Sequence, residues 1–180
     1  MIRKALLLVA SFITLSCAAG AGFKVSLVDA EIMGPGPGAG IHAMVDVTRV
    51  FQLYPSIDVW YGSEGSDGYH TYYDNGTWVD FTGYQTHRVT EVSFNLDMRF
   101  VLLKTKIRPY FGFGGAPVLT MDSWQPGLSG HIWGPGFNLF AGIDLRYMEN
   151  NLFFIEARGK MGSEYGVAKL SIGTTFGKFK

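Results

Sequence analysis

The stretch Glu91 to Phe100, EVSFNLDMRF, alternates without a miss. Val92, Phe94, Leu96, Met98 and Phe100 fall on one side, and Glu91, Ser93, Asn95, Asp97 and Arg99 on the other. Successive side chains of a strand face opposite sides of its sheet, so this segment reads as a strand with one apolar and one polar face. Two architectures accept such a strand. A water-soluble sheet buries the apolar face, whereas a membrane barrel turns it to lipid and keeps the polar groups in its lumen.

The same period recurs along the chain. After an irregular first segment from about Phe23 to Met33, alternating runs cover Gly38–Val47, Phe51–Tyr61, Glu91–Phe100, Lys106–Leu119, Gly136–Tyr147, Asn151–Met161 and Gly166–Phe176. The first segment changes phase between Leu27 and Val28, which predicts a bulge or a late start. Pro55 lies inside its run and removes a ladder donor, which predicts a second bulge. With the first segment the runs make eight strands.

Their connections alternate in length. Thr48-Arg49, Lys104-Thr105-Lys106 and Glu149-Asn150-Asn151 are tight turns. On the other side lie GPGPG (Gly34 to Gly38), the long stretch Gly62 to His87, a loop from Met121 to Pro135, and GSEYG. Short turns at one end and longer loops at the other fit an outer-membrane barrel with its turns in the periplasm. The fold class read from the sequence is therefore all-β, an eight-stranded antiparallel up-and-down transmembrane β-barrel.

Eight strands enclose an interior only wide enough to be filled by side chains. The polar face is rich in Gly and Ser. It also gathers Asp46, Asp58, Glu91, Asp97, Asp144 and Glu156 beside Arg99, Arg108, Arg146, Arg158, Lys160 and Lys169. Opposite charges in such numbers can pair across a dry lumen, where a lone charge is very costly. The other face carries Phe51, Phe94, Phe100, Phe111, Phe113, Phe137, Phe153 and Phe176, too bulky for a narrow interior. The apolar face is expected to point outward. Phe51, Phe100, Tyr147 and Phe153 near the tight turns, with Tyr61, Trp124 and Trp133 near the loops, match aromatic girdles at two interfaces.

The N-terminus is a different kind of sequence. MIRKALLLVASFITLSCAAGAG has a basic start, an apolar run from Ala5 to Leu15 and then small residues, the layout of a secretory signal peptide. Ala19-Gly20-Ala21 is a small-x-small cleavage site. The expected domains are a signal peptide over 1–21 and a barrel over 22–180. Cys17, the single cysteine, falls within the signal, so the mature chain is expected to hold no thiol; lipidation of Cys17 is the other reading of that residue. Charged residues make up 17% of the chain and the formal net charge is zero, which argues against a nucleic-acid partner.

IRPYFGFGGAPVL (Ile107 to Leu119) and GFNLFAGIDLRYMENNLFFIEARGK (Gly136 to Lys160) together resemble the small outer-membrane β-barrel family, the OmpA/OmpX-like eight-stranded proteins. The shared pattern is a turn, Pro-aromatic, a Gly-rich strand, then a Gly-Ile-x-Leu-Arg-Tyr strand running through Asn into the next. Members often end in an aromatic residue, and here Phe179 is followed by Lys180. The resemblance implies insertion in a bacterial outer membrane, with membrane lipid as a partner. It implies no one activity, because the fold hosts many functions.

A search for chemistry finds little. Barrels of the lipid A deacylase kind use a His-x-Ser-Asn run, and none of His42, His70, His87 and His131 is followed by one. His42 is a lumen-facing residue near Ser56 or Ser93, read as part of a polar network. No histidine pair has ligand spacing, so no metal and no cofactor are expected. The chain is read as non-enzymatic.

The expected working parts are thus two. One is a lumen network of Asp46, Asp58, Glu91, Asp97, Arg99, Arg108, Asp144, Arg146, Glu156 and Arg158. The other is the outer loops, with Tyr69, Tyr72, Tyr73, Trp78, Phe81, Trp124 and Trp133 as contact residues for a surface protein or host ligand. Asn75-Gly76 is a strong hairpin signal, and its arms are read as an extension above the bilayer and not as further strands. The role that follows is envelope integrity or surface interaction. Two alternatives remain open at this point: a soluble lipocalin-like barrel with the apolar face inside, and a lipid-modifying barrel enzyme. The chain has no Gly-x-Trp near Gly22 of the sort lipocalins carry.

Overall fold

The structure, a computed structural model, describes residues 19–30, 33–48, 50–74, 77–103, 105–125, 128–162 and 166–177. The proposed signal segment up to residue 18, with Cys17, lies outside the described residues, as do Arg49, Asn75, Gly76 and Lys104. Eight strands follow in chain order: β1 (Ala19–Ala30), β2 (Gly34–Asp46), β3 (Phe51–Asp74), β4 (Thr77–Val101), β5 (Ile107–Gln125), β6 (Leu128–Met148), β7 (Asn151–Met161) and β8 (Val167–Gly177). Each pairs antiparallel with its neighbours, and β1 closes on β8. The result is the up-and-down barrel that the alternation predicts.

Alternation also decides the faces. Phe23, Ile41, Phe94, Phe111, Ile143, Ile155 and Leu170 are exposed on the outside, while Asp58, Glu91, Asp97, Arg99, Arg108 and Glu156 are buried within. A water-soluble globule is built the other way round. An exterior of this kind is stable against hydrocarbon, where closure of the barrel also satisfies every strand edge.

Two expected bulges are absent. β1 keeps one register from end to end against β2 and β8. Val28 breaks the sequence pattern because it faces a lumen that is apolar at that level, packed with Ala30, Met33, Trp60, Val89 and Val167. Pro55 is absorbed without a register change. Its pairing with β4 is continuous, and the β2 ladder merely lapses between His42↔Ser56 and Val45↔Leu53. The register shift that does occur lies in β6, between Arg146 and Met148 where it pairs with β7.

Two expected loops are strand instead. GPGPG belongs to β2 and pairs with β1 through Ala30↔Gly34 and Val28↔Gly36. A Cβ at Gly36 would lie 2.0 Å from the carbonyl oxygen of Tyr61, so the close approach of β3 requires glycine there. The stretch from Met121 to Pro135 is a second hairpin, paired up to Trp124↔Leu128.

The strands are of very unequal length. β7 and β8 have 11 residues each, about what a bilayer crossing takes. β3 has 24, β4 has 25, β5 has 19 and β6 has 21. The excess lies all at one end, and β3 pairs with β4 without a register shift to Asp74↔Thr77. Thr86↔Gln125 and His87↔Trp124 join the two hairpins, so β3 to β6 continue beyond the barrel as one four-stranded wall.

Candidate functional site

The lumen is built in layers along the barrel. At the long-hairpin end the apolar cluster around Val28 and Trp60 closes it. Trp60 belongs to the next layer as well, because its Nε1–H donates to Glu91 Oε1 at 2.8 Å, and Glu91 also holds Lys160. Asp58 lies between two ammonium groups, Lys24 at 2.9 Å and Lys169 at 2.6 Å.

The middle layer centres on Arg158. Its Nη1 donates to Asp97 Oδ2 at 2.5 Å and its Nε to Glu156 Oε1 at 2.9 Å, with the guanidinium 4.3 Å from the Phe140 ring centroid. Asn138 donates to Asn95 Oδ1 at 2.8 Å and Asp97 Oδ1 at 3.0 Å, and Asn95 donates to Ser56 Oγ at 3.1 Å. Tyr110 OH donates to the free oxygen of Glu156 at 3.2 Å.

Toward the tight turns Arg99 pairs with Asp144 and lies 3.3 Å from the Tyr110 ring centroid and 5.6 Å from that of Tyr54. Arg108 is buried directly across from Asp144 in the β5–β6 register. Asp46 accepts a hydrogen bond from Gln52 at 2.6 Å and, like Arg146, is half-buried at the mouth. Full burial of Lys24, Arg99, Arg108, Arg158 and Lys160 is thus matched by full burial of Asp58, Glu91, Asp97, Asp144 and Glu156. Charge equal in number is what a dry interior tolerates, and of the five cations all but Arg108 have a direct ion pair, Arg108 lying beside Asp144 with its Nε and Nη1 unpartnered. This lumen is a plug, not a channel.

Of the ten residues singled out from the sequence for the lumen, the structure gathers Asp58, Glu91, Asp97, Arg99, Arg108, Asp144, Glu156 and Arg158 in the buried network and leaves Asp46 and Arg146 at its edge. Sequence reasoning missed Lys24, because the first segment was read as irregular; strict parity through Val28 would have found it. His42 does face the lumen, but its Nε2 meets Thr175 Oγ1 at 2.8 Å, and its ring stacks on Tyr54 at 4.8 Å. Ser56 is its cross-strand neighbour but serves Asn95.

The second region is the wall of β3 to β6. Tyr69, Tyr72 and Tyr73 sit in β3 opposite Thr82, Val79 and Trp78; Phe81 is opposite His70 and Trp124 opposite His87. The side chains of Tyr69, Tyr72, Tyr73, Trp78, Phe81 and Trp124 lie outside the description. Trp133 is exposed on the outer face, stacked against Phe94 with centroids 6.5 Å apart. It thus forms part of an exterior aromatic rim together with Phe94. At the base of the wall His87 Nε2 meets Asp122 Oδ1 at 3.2 Å. Among the described residues no group of His, Cys, Asp and Glu has the geometry to hold a metal ion.

No protein-family model matches the chain, and no curated protein sequence does. Solved structures do match. The N-terminal β-barrel domain of Pseudomonas aeruginosa OprF aligns with a TM-score of 0.60 at 16% identity over 88% of this chain and 96% of that one. Neisserial surface protein A gives 0.60 at 11% identity over 90% and 96%. Ail, the attachment invasion locus protein of Yersinia pestis, gives 0.55 at 10% identity over 88% and 95%, and it has also been solved in complex with the heparin analogue sucrose octasulfate. Identities this low speak for the fold alone. Charged lumen, apolar exterior and strand order all agree with it: the chain has the fold of the small eight-stranded outer-membrane β-barrels.

Proposed function

We propose that this protein resides in a bacterial outer membrane as a non-enzymatic barrel, and that its working surface is the wall of β3 to β6, held outside the cell for contact with another macromolecule. The inequality of the strands carries this reading. A barrel that served only as a membrane anchor or lumen device has no use for strands of 24 and 25 residues beside strands of 11. The tight turns then lie in the periplasm and the signal segment is removed on export. Regular strand pairing keeps the wall extended, so a contact surface is presented at a fixed distance from the lipid. A soluble carrier of apolar ligands, by contrast, needs an apolar interior, and this interior is filled by ion pairs.

The test has two parts. Cell fractionation with heat-modifiable gel mobility is expected to recover a folded barrel from the outer membrane. Cells bearing a chain in which residues 64–85 are replaced by a short Asn-Gly turn are expected to keep that barrel and lose adhesion to protein-coated surfaces. A shortened chain that adheres as well as the full one would remove the wall from the function.

A further inference from the structure

We infer that the tight-turn mouth of the barrel, where β5 begins and β6 ends, binds a phosphate group between Lys106, Arg108 and Arg146. Three cations meet there on two adjacent strands. Arg108 is directly across from Asp144, and the same register sets Lys106 across from Arg146, whose N–H donates to the Lys106 carbonyl at 2.8 Å. Like charges directly opposite in an antiparallel pair repel, and an anion between them turns that repulsion into attraction. The turn that carries Lys106 is closed by Thr105, whose hydroxyl donates to the Ile107 carbonyl.

Arg108 supplies a second, independent observation. It is 2% exposed, yet its Nε and Nη1 have no partner. The charges that act on it are Asp144, Arg99, Asp46 and Arg146. Asp144 already holds Arg99, and Asp46 accepts from Gln52. With Arg108 itself, three guanidiniums share two carboxylates, and exposed Lys106 adds a fourth cation. In sequence the tight turns 47–50, 102–106 and 149–150 hold Arg49, Lys104 and Lys106 against Glu149. A buried guanidinium without an acceptor is costly, and phosphate oxygens fit its fork of donors.

The surroundings favour a phosphate carried by lipid. Ile107 and Leu145 pair across the same two strands and are exposed on the outside, with Leu102, Leu103, Tyr147 and Met148 exposed nearby. Acyl chains can lie on these side chains while Lys106 and Arg146 reach a headgroup at the rim. The excess of cations selects an anionic lipid such as phosphatidylglycerol over phosphatidylethanolamine, whose ammonium would meet Lys106. The opposite end of the chain disfavours the same group: residues 62–87 hold Glu64, Asp67, Asp74 and Asp80 with no Lys or Arg. Free inorganic phosphate shares the recognised chemistry and is the other source.

The experiment folds the full chain in phosphatidylcholine nanodiscs and follows the Arg108 Nε–H resonance, assigned with Arg108→Lys, as phosphatidylglycerol replaces part of the lipid. A saturable shift is expected. Lys106→Gln combined with Arg146→Gln is expected to weaken the response by about tenfold. Arg88→Gln, at the far end of β4, is expected to leave it unchanged, and heat-modifiable mobility checks that each variant is folded. In a second arm, inorganic phosphate is titrated into phosphatidylcholine nanodiscs against chloride at equal ionic strength. A response to phosphatidylglycerol alone assigns the group to lipid, and a response to inorganic phosphate alone assigns it to the soluble anion. A response to both makes the phosphate itself the determinant, and each of these three results supports the site. A shift that chloride reproduces, or that the double variant retains in full, overturns it. Silence in both arms overturns it as well.

Discussion

Arg158 on β7 reaches across the lumen to Asp97 on β4, at 2.5 Å, and ties together two strands that share no ladder. The same guanidinium holds Glu156 at 2.9 Å, so one cation is shared by two buried carboxylates. Arg158→Met removes that cation and leaves both buried carboxylates without it in a dry interior. A loss of about 3–5 kcal/mol of folding free energy is expected. Urea-dependent refolding into micelles, followed by gel mobility, measures it; a midpoint unchanged from the parent chain would contradict the pairing.

The glycines of the two faces are expected to respond in opposite ways. A Cβ at Gly142, which points inward, would lie 2.4 Å from the Ile155 carbonyl oxygen and 2.4 Å from Tyr110 OH. At Gly159, which points outward, the nearest atom is 4.0 Å away. Gly142→Val is expected to prevent a stable barrel, and Gly159→Val to stay within about 0.5 kcal/mol of the parent. Yields of the heat-modifiable species compare the two directly.

Ile155 lies at mid-barrel on the exterior, across from Ile143 and Ile172. Ile155→Arg is expected to cost about 2–4 kcal/mol when the chain folds into lipid vesicles. A water-exposed exterior would accept the arginine with little change, so the vesicle folding equilibrium reads the surrounding medium.

Pro55 leaves one gap in the β2–β3 ladder, opposite Ala43. Pro55→Val supplies a donor aimed at the Ala43 carbonyl and is expected to stabilise the barrel by about 0.5–1.5 kcal/mol. Slow amide exchange at position 55 accompanies the gain; fast exchange there would show that the strands are too far apart to bond.

Strand number, antiparallel order and the assignment of faces were all legible in the alternation, because a period of two is a local property that each strand carries by itself. Eight residues of the buried network, from Asp58 to Arg158, could be named for the same reason, while Asp46 and Arg146 lie at its edge. Three things were not legible. Which charge pairs with which depends on how the tilted strands bring distant residues to one level: Lys169 to Asp58, Arg158 to Asp97, Arg99 to Asp144. Val28 looked like a break in phase because the sequence does not reveal that the lumen turns apolar around Trp60. GPGPG and the stretch after Met121 looked like loops because glycine and proline usually mark turns. Yet a neighbouring strand at close range favours glycine, and Pro35 and Pro37 are tolerated because they precede the β2–β3 ladder, which begins at Gly38↔Trp60. The chain alone therefore determined a barrel with charge inside and hydrocarbon outside. The network in its lumen, and the wall of β3 to β6, came only from closing that barrel in three dimensions.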